Sequence, residues 1–368
     1  MGPPVIKVES DSTLPPATSV VIVGGGIIGA CTALFLSQKG IPTVLCEKGY
    51  IAGEQSSRNW GWCRKMCRDP RELPLAIEAL RLWGDMNRVT GVETGYRQSG
   101  IMYMCESQEQ LAKYEPWLEH AREYQIDTKI LSGAEVSALM PGATHTWAGA
   151  IYTPSDGSGE PQMGAPIIAR TAQANGATIL QNCAVRGIDT TGGRVTGVVT
   201  EKGRIACQSV VVAGGAWSRL LCGNTGIDLP QLKVLLSVMR TEKLDGGPEI
   251  SATGDGVGWR KRMDGGYNVS NRGGTIFEIV PDAFRLMKDF LPMRRIQSGG
   301  TTMRLGKRFI EEWGTPRTWT RKPRSRKYER SIPSRPAPCW TAPRPTSRQP
   351  SRSSKTWSKH RPGAATSM

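Results

Sequence analysis

Residues 20–29 read VVIVGGGIIG, and this stretch decides the fold. The β-branched run at 19–23 predicts a buried strand, and the glycines that follow have the spacing G-x-G-x-x-G. An apolar helical run at 30–39 comes next, and a second strand is predicted at 41–46. This order of strand, glycine turn, helix and strand is typical of a dinucleotide-binding βαβ unit.

Each glycine of this loop has its own predicted task. Gly24 permits the tight turn, Gly26 lets a diphosphate approach the backbone, and Gly29 lets helix and strand pack closely. The diphosphate would lie at the helix N-terminus, where N–H groups and the helix dipole favour an anion. Glu47, which follows the second strand, can accept hydrogen bonds from both ribose hydroxyls. The alternative, a membrane-spanning helix over 20–36, would have about 17 residues, at the short limit for a span.

The formal charge of +16 lies mostly in the last fifty-one residues. Residues 318–368 contain thirteen Lys and Arg, one acid, eight Pro, and no Leu, Val or Phe. Such a segment cannot bury enough apolar surface to offset its ordering entropy, so we predict a disordered basic tail. The rest of the chain is nearly neutral and gives no indication of a specific nucleic-acid partner.

The abrupt change of composition after Trp313 has two interpretations. A genuine basic arm would bind RNA or an acidic surface. Alternatively, the segment is translated in a shifted frame, because GC-rich DNA encodes Arg, Pro and Ser out of frame. Permitted codons for 338–351, read one nucleotide earlier, can spell an amphipathic helix. We favour the shifted frame, and the DNA sequence around codon 318 distinguishes the two.

The nine cysteines are scattered without a C-x-x-C pair, and the chain has only three histidines. This pattern predicts no metal site. Cys31 and Cys46, inside the βαβ unit, are interpreted as small apolar residues. A redox pair of Cys63 and Cys67 stays open as an alternative to two unrelated thiols. Because residues 1–18 do not resemble a signal peptide, we expect a chain of the reducing cytoplasm.

Other periodic patterns follow the βαβ unit. They predict helices at 107–124 and 162–175, a hairpin of 185–190 with 195–200, and a strand at 204–212. A capping box is predicted at Ser132, with Glu135 three residues later. Strands that come later in the chain are predicted to rejoin the nucleotide-binding sheet after an inserted segment. This order favours an α/β fold that is interleaved with a second domain.

Two further segments have a composition suited to a bound cofactor. Residues 209–218, SVVVAGGAWS, end a predicted strand in two glycines that let a ligand approach the backbone, although an ordinary strand–turn–helix joint would also fit. Residues 53–62, GEQSSRNWGW, combine polar donors with two tryptophans that could cover a flat ring. A surface loop with packed tryptophans is the alternative there. Together with the G-x-G-x-x-G loop, both segments indicate a flavin rather than a nicotinamide.

These three segments resemble the FAD-dependent D-amino-acid oxidase family, which includes glycine oxidase, sarcosine oxidase and D-amino-acid dehydrogenase. The resemblance covers about residues 18–317. It implies an α/β fold in which a Rossmann-like FAD-binding domain is interleaved with a mixed-sheet substrate domain. We assign 18–97 and 150–225 to the FAD-binding domain, and 98–149 and 226–317 to the substrate domain.

The resemblance also implies which residues meet the cofactor. Gly24, Gly26 and Gly29 would hold the diphosphate, and Glu47 the adenosine ribose. Val185 matches the residue whose backbone usually meets the adenine. The complete set of residues expected to bind FAD is Gly24, Gly26, Ile27, Ile28, Gly29, Glu47, Lys48, Ser56, Ser57, Arg58, Asn59, Trp60, Val185, Gly214, Gly215 and Trp217.

The implied activity is oxidation of the CH–NH bond of an amino acid or secondary amine by hydride transfer to the flavin, with oxygen or a quinone as electron acceptor. The catalytic candidates on the substrate side are Tyr103, Arg262 and Arg272. An arginine can hold a carboxylate through two parallel hydrogen bonds, although a surface arginine is the alternative for each. No membrane span is expected.

Two other functions stay open on the sequence. A nicotinamide-dependent dehydrogenase would use Glu47 equally well. An inactive, truncated flavoprotein fragment with a basic tail is the other. Members of the family carry a further Gly-rich segment near the C-terminus that closes over the flavin, and none follows Trp313.

Overall fold

The computed structural model of the protein describes residues 4–271, 275–296 and 301–313. Two sheets dominate these residues. One is a parallel four-stranded sheet, called the nucleotide sheet here, and the other is a seven-stranded sheet, called the mixed sheet. The predicted fold class, a Rossmann-like sheet together with a mixed sheet, is confirmed.

The nucleotide sheet is built from the strands that the glycine pattern predicts. In spatial order they are Ser209–Val212, Val20–Val23, Thr43–Cys46 and Thr178–Leu180. All three pairings are parallel. Helices Ile27–Gln38 and Gly164–Ala174 pack against each other beside this sheet, and their alanines and leucines share one core with Ile22 and Ile179. The βαβ prediction is therefore confirmed at its core.

The mixed sheet is assembled from distant parts of the chain. Its strands, in spatial order, are Met239–Arg240, Tyr267–Asn271, Val257–Lys261, Ser251–Gly254, Ile101–Cys105, Gly149–Thr153 and Lys129–Ser132. One pairing, 251–253 with 101–103, is parallel, and the others are antiparallel. Because side chains alternate along a strand, Ile101 and Tyr103 share one face and Met102 and Met104 the other.

Three smaller sheets hold the remaining strands of the described residues. The first contains, in spatial order, Gly203–Ala206, Arg194–Thr200 and Val185–Thr191. The second contains Val234–Leu235, Thr275–Ile279 and Thr301–Leu305. The third pairs Trp62–Cys63 with Gly157–Ser158. The predicted hairpin of 185–190 with 195–200 is confirmed.

The helices lie between and around these sheets. The α-helices are Ile27–Gln38, Gln55–Arg58, Leu73–Thr90, Gln108–Ala112, Trp117–Glu123, Gly133–Leu139, Gly164–Ala174, Ser218–Gly223, Pro281–Arg285, Met287–Ile296 and Lys307–Trp313, with 3₁₀ turns at Pro70–Glu72 and Gly215–Trp217. The predicted capping box is confirmed, since the Ser132 hydroxyl accepts from the Glu135 N–H and the Glu135 carboxylate accepts from the Ser132 N–H. Among the described residues, no helix is long and apolar enough to cross a membrane.

Two sequence predictions of elements were wrong. The single strand predicted at 204–212 is two strands, because the chain leaves the hairpin sheet after Ala206 and enters the nucleotide sheet at Ser209. The helix predicted at 107–124 is two short helices, and Pro116 precedes the second of them. Proline has no N–H to donate inside a helix, so it starts a new one.

The proposed domain boundary between 149 and 150 falls inside strand Gly149–Thr153, which belongs to the mixed sheet. A boundary after Thr153 therefore agrees better with the sheets. The division into a discontinuous FAD-binding domain and a substrate domain otherwise stays our proposal.

Candidate functional site

The loop of residues 24–29 lies at the carboxyl end of an internal strand of the nucleotide sheet. Gly24 has φ +111° and donates its N–H to the Cys46 carbonyl at 2.8 Å. A Cβ on Gly24 would lie 2.5 Å from the Ala213 carbonyl oxygen, and a Cβ on Gly29 would lie 1.9 Å from the Gly24 carbonyl oxygen. Only glycine fits at these two positions, so both shape the protein itself.

Gly26 differs from these two glycines. Its backbone has φ −75° and ψ −176°, which any residue adopts, and a Cβ there would meet only the Ser56 hydroxyl, at 3.0 Å. The protein itself therefore does not need a glycine here, and the open space above Gly26 is what a diphosphate requires. Gly25 was missed by the sequence analysis. A Cβ on Gly25 would lie 2.5 Å from Ile51 and 3.0 Å from Glu47.

The first turn of helix Ile27–Gln38 presents N–H groups above this loop. The Ile27 N–H donates to the Ser56 hydroxyl at 2.8 Å, and Ile28 is exposed. The N-cap residue is Gly26, which has no side chain to cap the helix. The N-terminus therefore carries the positive end of the helix dipole toward the place where an anion would bind.

Glu47 lies at the carboxyl end of the neighbouring strand. It is 8 % exposed, and its two carboxylate oxygens each accept a backbone N–H at 2.7 Å, from Gly25 and from Gly49. Burial raises the pKa of Glu47, and these two hydrogen bonds oppose the rise. Each carboxylate oxygen has a second lone pair, so Glu47 can hold the glycine loop and a pair of ribose hydroxyls together.

The segment at 55–62, called the cofactor segment here, begins with the short helix Gln55–Arg58. Its polar residues divide into two groups. Ser57 is buried, and its hydroxyl donates to the Glu54 carbonyl at 3.3 Å. Asn59 accepts from the Gly61 N–H at 2.8 Å and donates to carbonyls of the short helix. Both side chains therefore organise the segment itself, whereas Ser56 reaches the helix N-terminus.

Polar atoms with no hydrogen-bond partner also mark this segment. Among the described residues, the buried Nε of Arg58 and the indole nitrogens of Trp60 and Trp62 have none. Buried polar groups are normally satisfied by protein, water or ligand. Together with the open space above Gly26, these donors show that the residues present fit a bound FAD.

Most of the remaining cofactor candidates follow strands of the nucleotide sheet at their carboxyl ends. Gly214 and Gly215 follow strand Ser209–Val212 and begin the 3₁₀ turn that carries Trp217. The Lys48 ammonium lies 3.2 Å from the centre of the Trp217 ring and 3.8 Å from the Glu54 carboxylate. This stacking supplies positive charge beside the glycine loop. Val185 begins the hairpin strand Val185–Thr191.

The catalytic candidate Tyr103 lies on the mixed sheet, in an aromatic cluster that continues from the cofactor segment. Trp60 and Trp62 meet edge to face at 4.8 Å between ring centres, and Trp62 lies 6.1 Å from Tyr103. The Arg64 guanidinium lies 5.9 Å from the centre of the Tyr103 ring, and it donates to the Met66 carbonyl. The sequence analysis missed Arg64, although it stands two residues after Trp62.

Of the other two catalytic candidates, the structure describes the surroundings of Arg262. Arg262 is buried, and it donates to the carbonyls of Tyr267 and Thr241 and pairs with Asp264 at 2.9 Å. Its donors therefore bind its own sheet, which corrects the assignment to a substrate carboxylate. Arg272 lies outside the described residues.

A second buried carboxylate lies close to Arg64. Asp156 is fully buried and accepts from the backbone N–H groups of Lys65 and Met66 at 2.8 and 3.2 Å. Burial raises its pKa to about 6, and these two hydrogen bonds oppose the rise. Asp156 thereby fixes the backbone that carries Arg64.

This pKa predicts a pH dependence of folding. The carboxyl binds its proton more tightly in the folded chain, so its contribution to stability is fully present below about pH 4 and is lost as the pH rises through about 6. As the pH rises from about 4 to about 8, the free energy of unfolding of Asp156→Asn should increase by about 2–3 kcal/mol relative to that of wild type. Urea unfolding of both proteins across this range measures the difference. If the difference in unfolding free energy between the two proteins does not change with pH, the pKa of Asp156 is not raised. Asp245→Asn, at an exposed position, is the control for the general effect of removing a negative charge.

The cysteines of the described residues are present as thiols. Burial raises the pKa of Cys63 to about 12, which disfavours the thiolate that a redox pair with Cys67 would need. Across the described residues, no three His, Cys, Asp or Glu side chains are grouped as metal ligands. The predicted basic tail and its shifted frame lie outside the described residues and stay predictions.

Comparisons with known proteins identify relatives of this chain. A profile of the family described as FAD dependent oxidoreductase (DAO) matches residues 19–351. Sarcosine dehydrogenase from Mus musculus is 28% identical over 253 residues, which are 67% of this chain but 28% of that protein. Sarcosine oxidase subunit beta from Arthrobacter is 29% identical over 57% of this chain and 54% of that one. The chain thus spans about a quarter to a half of the length of these curated relatives.

Solved structures extend the agreement to three dimensions. L-amino acid deaminase from Proteus myxofaciens, in complex with anthranilate, is 35% identical, with a TM-score of 0.83 over 88% of this chain and 74% of that chain. Glycine oxidase from Bacillus cereus, at 23% identity over 76% of this chain and 79% of that one, shares the fold with a TM-score of 0.61. The nicotinamide alternative is thereby set aside. The chain belongs to the DAO family of FAD-dependent oxidoreductases.

Proposed function

We propose that the protein oxidises the CH–NH bond of an amino acid or a secondary amine. When bound, FAD supplies the chemistry by accepting a hydride from the carbon next to the amine nitrogen. The observation that carries the proposal is the continuous cluster from Trp60 through Trp62 to Tyr103, with Arg64 beside it. This aromatic cluster joins the cofactor segment to the mixed sheet and ends beside the positively charged guanidinium of Arg64.

Residues at the carboxyl edge of the nucleotide sheet would hold the adenosine half of the cofactor. Gly26, whose backbone is extended and uncovered, and the N–H groups of the first helix would receive the diphosphate, and the Glu47 carboxylate would receive the ribose. The flavin half would lie toward Trp60 and Trp62, whose buried indole nitrogens lack partners among the described residues. The tryptophan rings exclude water from the reacting carbon, and a dry site strengthens electrostatic interactions within it.

Arg64 is our candidate for binding a substrate carboxylate. Its guanidinium is half-buried and carries five N–H donors in a planar fork, and the structure shows one of them bound to Met66. The buried Asp156 accepts from the backbone N–H groups of Lys65 and Met66, directly after Arg64, and thereby orients this arginine. Tyr103 supplies the ring over which the guanidinium lies, and such stacking leaves the edge of the fork available to a carboxylate.

The electron acceptor and the compartment are also part of the proposal. We propose oxygen or a quinone as acceptor, and an oxygen electrode compared with a soluble quinone distinguishes them. The thiol form of the cysteines in the described residues supports a reducing compartment such as the cytoplasm. Fractionation of cells that express the protein tests the location.

The decisive experiment uses the purified protein with FAD. Anaerobic addition of small amino acids, sarcosine and proline should bleach the flavin absorbance with at least one of them, and the product should be an imine or its carbonyl hydrolysis product. A protein that binds FAD and is bleached by none of these amines would overturn the proposed activity. Absence of FAD binding would overturn the cofactor assignment instead.

Arg64→Gln tests the substrate role. Losing a charged hydrogen-bonded pair costs about 1.5–3 kcal/mol, so the Kd for a carboxylate substrate should rise roughly 10- to 150-fold. Stopped-flow reduction of the flavin gives this constant from its dependence on substrate concentration. The variant should bind FAD as wild type does. If the Kd rises equally for an amine that has no carboxylate, Arg64 does not bind the substrate carboxylate.

A further inference from the structure

A buried ion pair joins the mixed sheet to the cofactor segment. Arg260, on strand Val257–Lys261, binds the Glu160 carboxylate through both terminal nitrogens, at 2.8 and 3.3 Å. The Arg260 side chain is 2 % exposed and that of Glu160 is 8 % exposed. The two residues are 100 positions apart, so the pair is a purely tertiary contact.

The third donor of this arginine reaches the cofactor segment itself. Arg260 Nε donates to the Trp60 carbonyl at 2.6 Å. The neighbouring Gly61 has φ +85°, and a Cβ there would lie 2.3 Å from the Gly159 carbonyl and 3.0 Å from Arg260 Nε. The Gly159 N–H in turn donates to the Gly61 carbonyl at 2.7 Å. The turn between the two tryptophans is therefore fixed from both sides.

The same pair also holds the strand that lies under Trp60. Besides the two hydrogen bonds from Arg260, Glu160 accepts a third at 2.8 Å, from the Met263 N–H. A Cβ on Gly258 would lie 2.9 Å from the Trp60 ring, which therefore packs directly on the backbone of this strand. One ion pair thus sets the relative position of three segments, which are 59–62, 159–160 and 258–263.

Stability alone does not account for such a pair. Removing two charges from water costs about as much as their attraction returns, and apolar residues of similar volume often serve stability equally well. The planar fork of arginine, by contrast, fixes distances and angles at several acceptors at once. The arrangement is suited to holding a geometry.

We propose that Arg260 and Glu160 are positioning residues that hold Trp60 and Trp62 against the ring of the bound flavin. The inference rests on the proposed function, in which these tryptophans cover the flavin. Among the described residues, the side-chain hydrogen bonds of the pair reach Trp60, Lys261 and Met263, and none of them joins the pair to the diphosphate loop or to Glu47. Disturbing the pair should therefore change the surroundings of the flavin ring much more than the affinity for FAD.

Arg260→Lys is the principal test, because lysine keeps the charge but cannot bind both Glu160 oxygens and the Trp60 carbonyl. We expect FAD to bind within about 3-fold of wild type, while flavin reduction by substrate slows roughly 10- to 100-fold, as for a small misplacement around a reacting centre. Flavin fluorescence should at least double, because an indole in contact with a flavin quenches it. Glu160→Gln, which keeps the shape, should likewise slow flavin reduction and raise flavin fluorescence while FAD binding stays close to wild type.

A matched control separates positioning from stability. Arg219 is also poorly exposed and binds Asp282 through two nitrogens, at 2.8 and 3.1 Å. Arg219→Lys should lower the Tm without changing the flavin fluorescence. In a Trp60→Phe background, the effect of Arg260→Lys on fluorescence should largely disappear, since effects that act through one contact are not additive.

Hydrogen exchange provides a readout without cofactor. In the apoprotein of Arg260→Lys, the Gly159 amide should exchange faster than in wild type or in Arg219→Lys. If wild type binds FAD but Arg260→Lys matches Arg219→Lys in fluorescence, reduction rate and exchange, the inference is wrong and the proposed function stands. A wild-type protein that does not bind FAD overturns both.

Discussion

Gly26→Val should abolish FAD binding and leave the fold intact. The backbone at Gly26 is extended, with φ −75° and ψ −176°, a conformation that valine adopts readily. Its Cβ would meet only the Ser56 hydroxyl, which a small side-chain movement relieves. The branched side chain would fill the space that a diphosphate needs. Losing two charge-assisted hydrogen bonds corresponds to a rise of at least about 100-fold in the FAD Kd.

The measurement is a titration of the apoprotein with FAD, followed by flavin fluorescence. Circular dichroism and urea unfolding should show a folded protein with a midpoint close to wild type. Gly29→Ala is the informative contrast, because its Cβ would lie 1.9 Å from the Gly24 carbonyl oxygen and should unfold the loop. Gly84→Ala, where a Cβ meets nothing within 4 Å, controls for the substitution itself. Wild-type FAD stoichiometry in Gly26→Val would refute the diphosphate assignment.

The nucleotide half of the site could be predicted because its determinants are close in sequence. The turn, the first helix and Glu47 fall within 28 residues, so spacing alone places them at one edge of a parallel sheet. Residue type alone did not show which polar side chains of the cofactor segment bind their own backbone and which reach the cofactor loop. Asn59 caps its own short helix, whereas Ser56 reaches the helix N-terminus.

The substrate half could not be predicted in the same way. Its residues come from strands and loops that meet only in the folded chain, as Arg260 and Glu160 do. Arg262 looked suitable because arginines bind carboxylates, but Asp264, two residues later, already serves as its acidic partner. Arg64 carried a weak signal, namely its place just after the two tryptophans. The distinction between a structural and a binding arginine depends on which acceptors surround it.

Glu47→Ala should weaken FAD binding roughly 5- to 150-fold, the range expected for the loss of a charged hydrogen bond worth about 1–3 kcal/mol. The physical reason is twofold. The ribose loses an acceptor, and the N–H groups of Gly25 and Gly49 lose the carboxylate that holds them, each at 2.7 Å. Titration of the apoprotein measures the change, and Glu78→Ala, which removes an exposed carboxylate paired with Arg81, is the control.

The pH dependence of binding separates the two contributions of Glu47. Burial raises the pKa of this carboxyl, so lowering the pH protonates it sooner than an exposed glutamate. A protonated carboxyl has one acceptor oxygen fewer for two N–H groups and a ribose, so FAD affinity of the wild type should fall as the pH falls. Glu47→Gln should bind weakly at every pH and lack this fall, because its amide cannot titrate. An affinity within twofold of wild type for Glu47→Ala, or the same pH dependence in Glu47→Gln, would show that the ribose is held elsewhere.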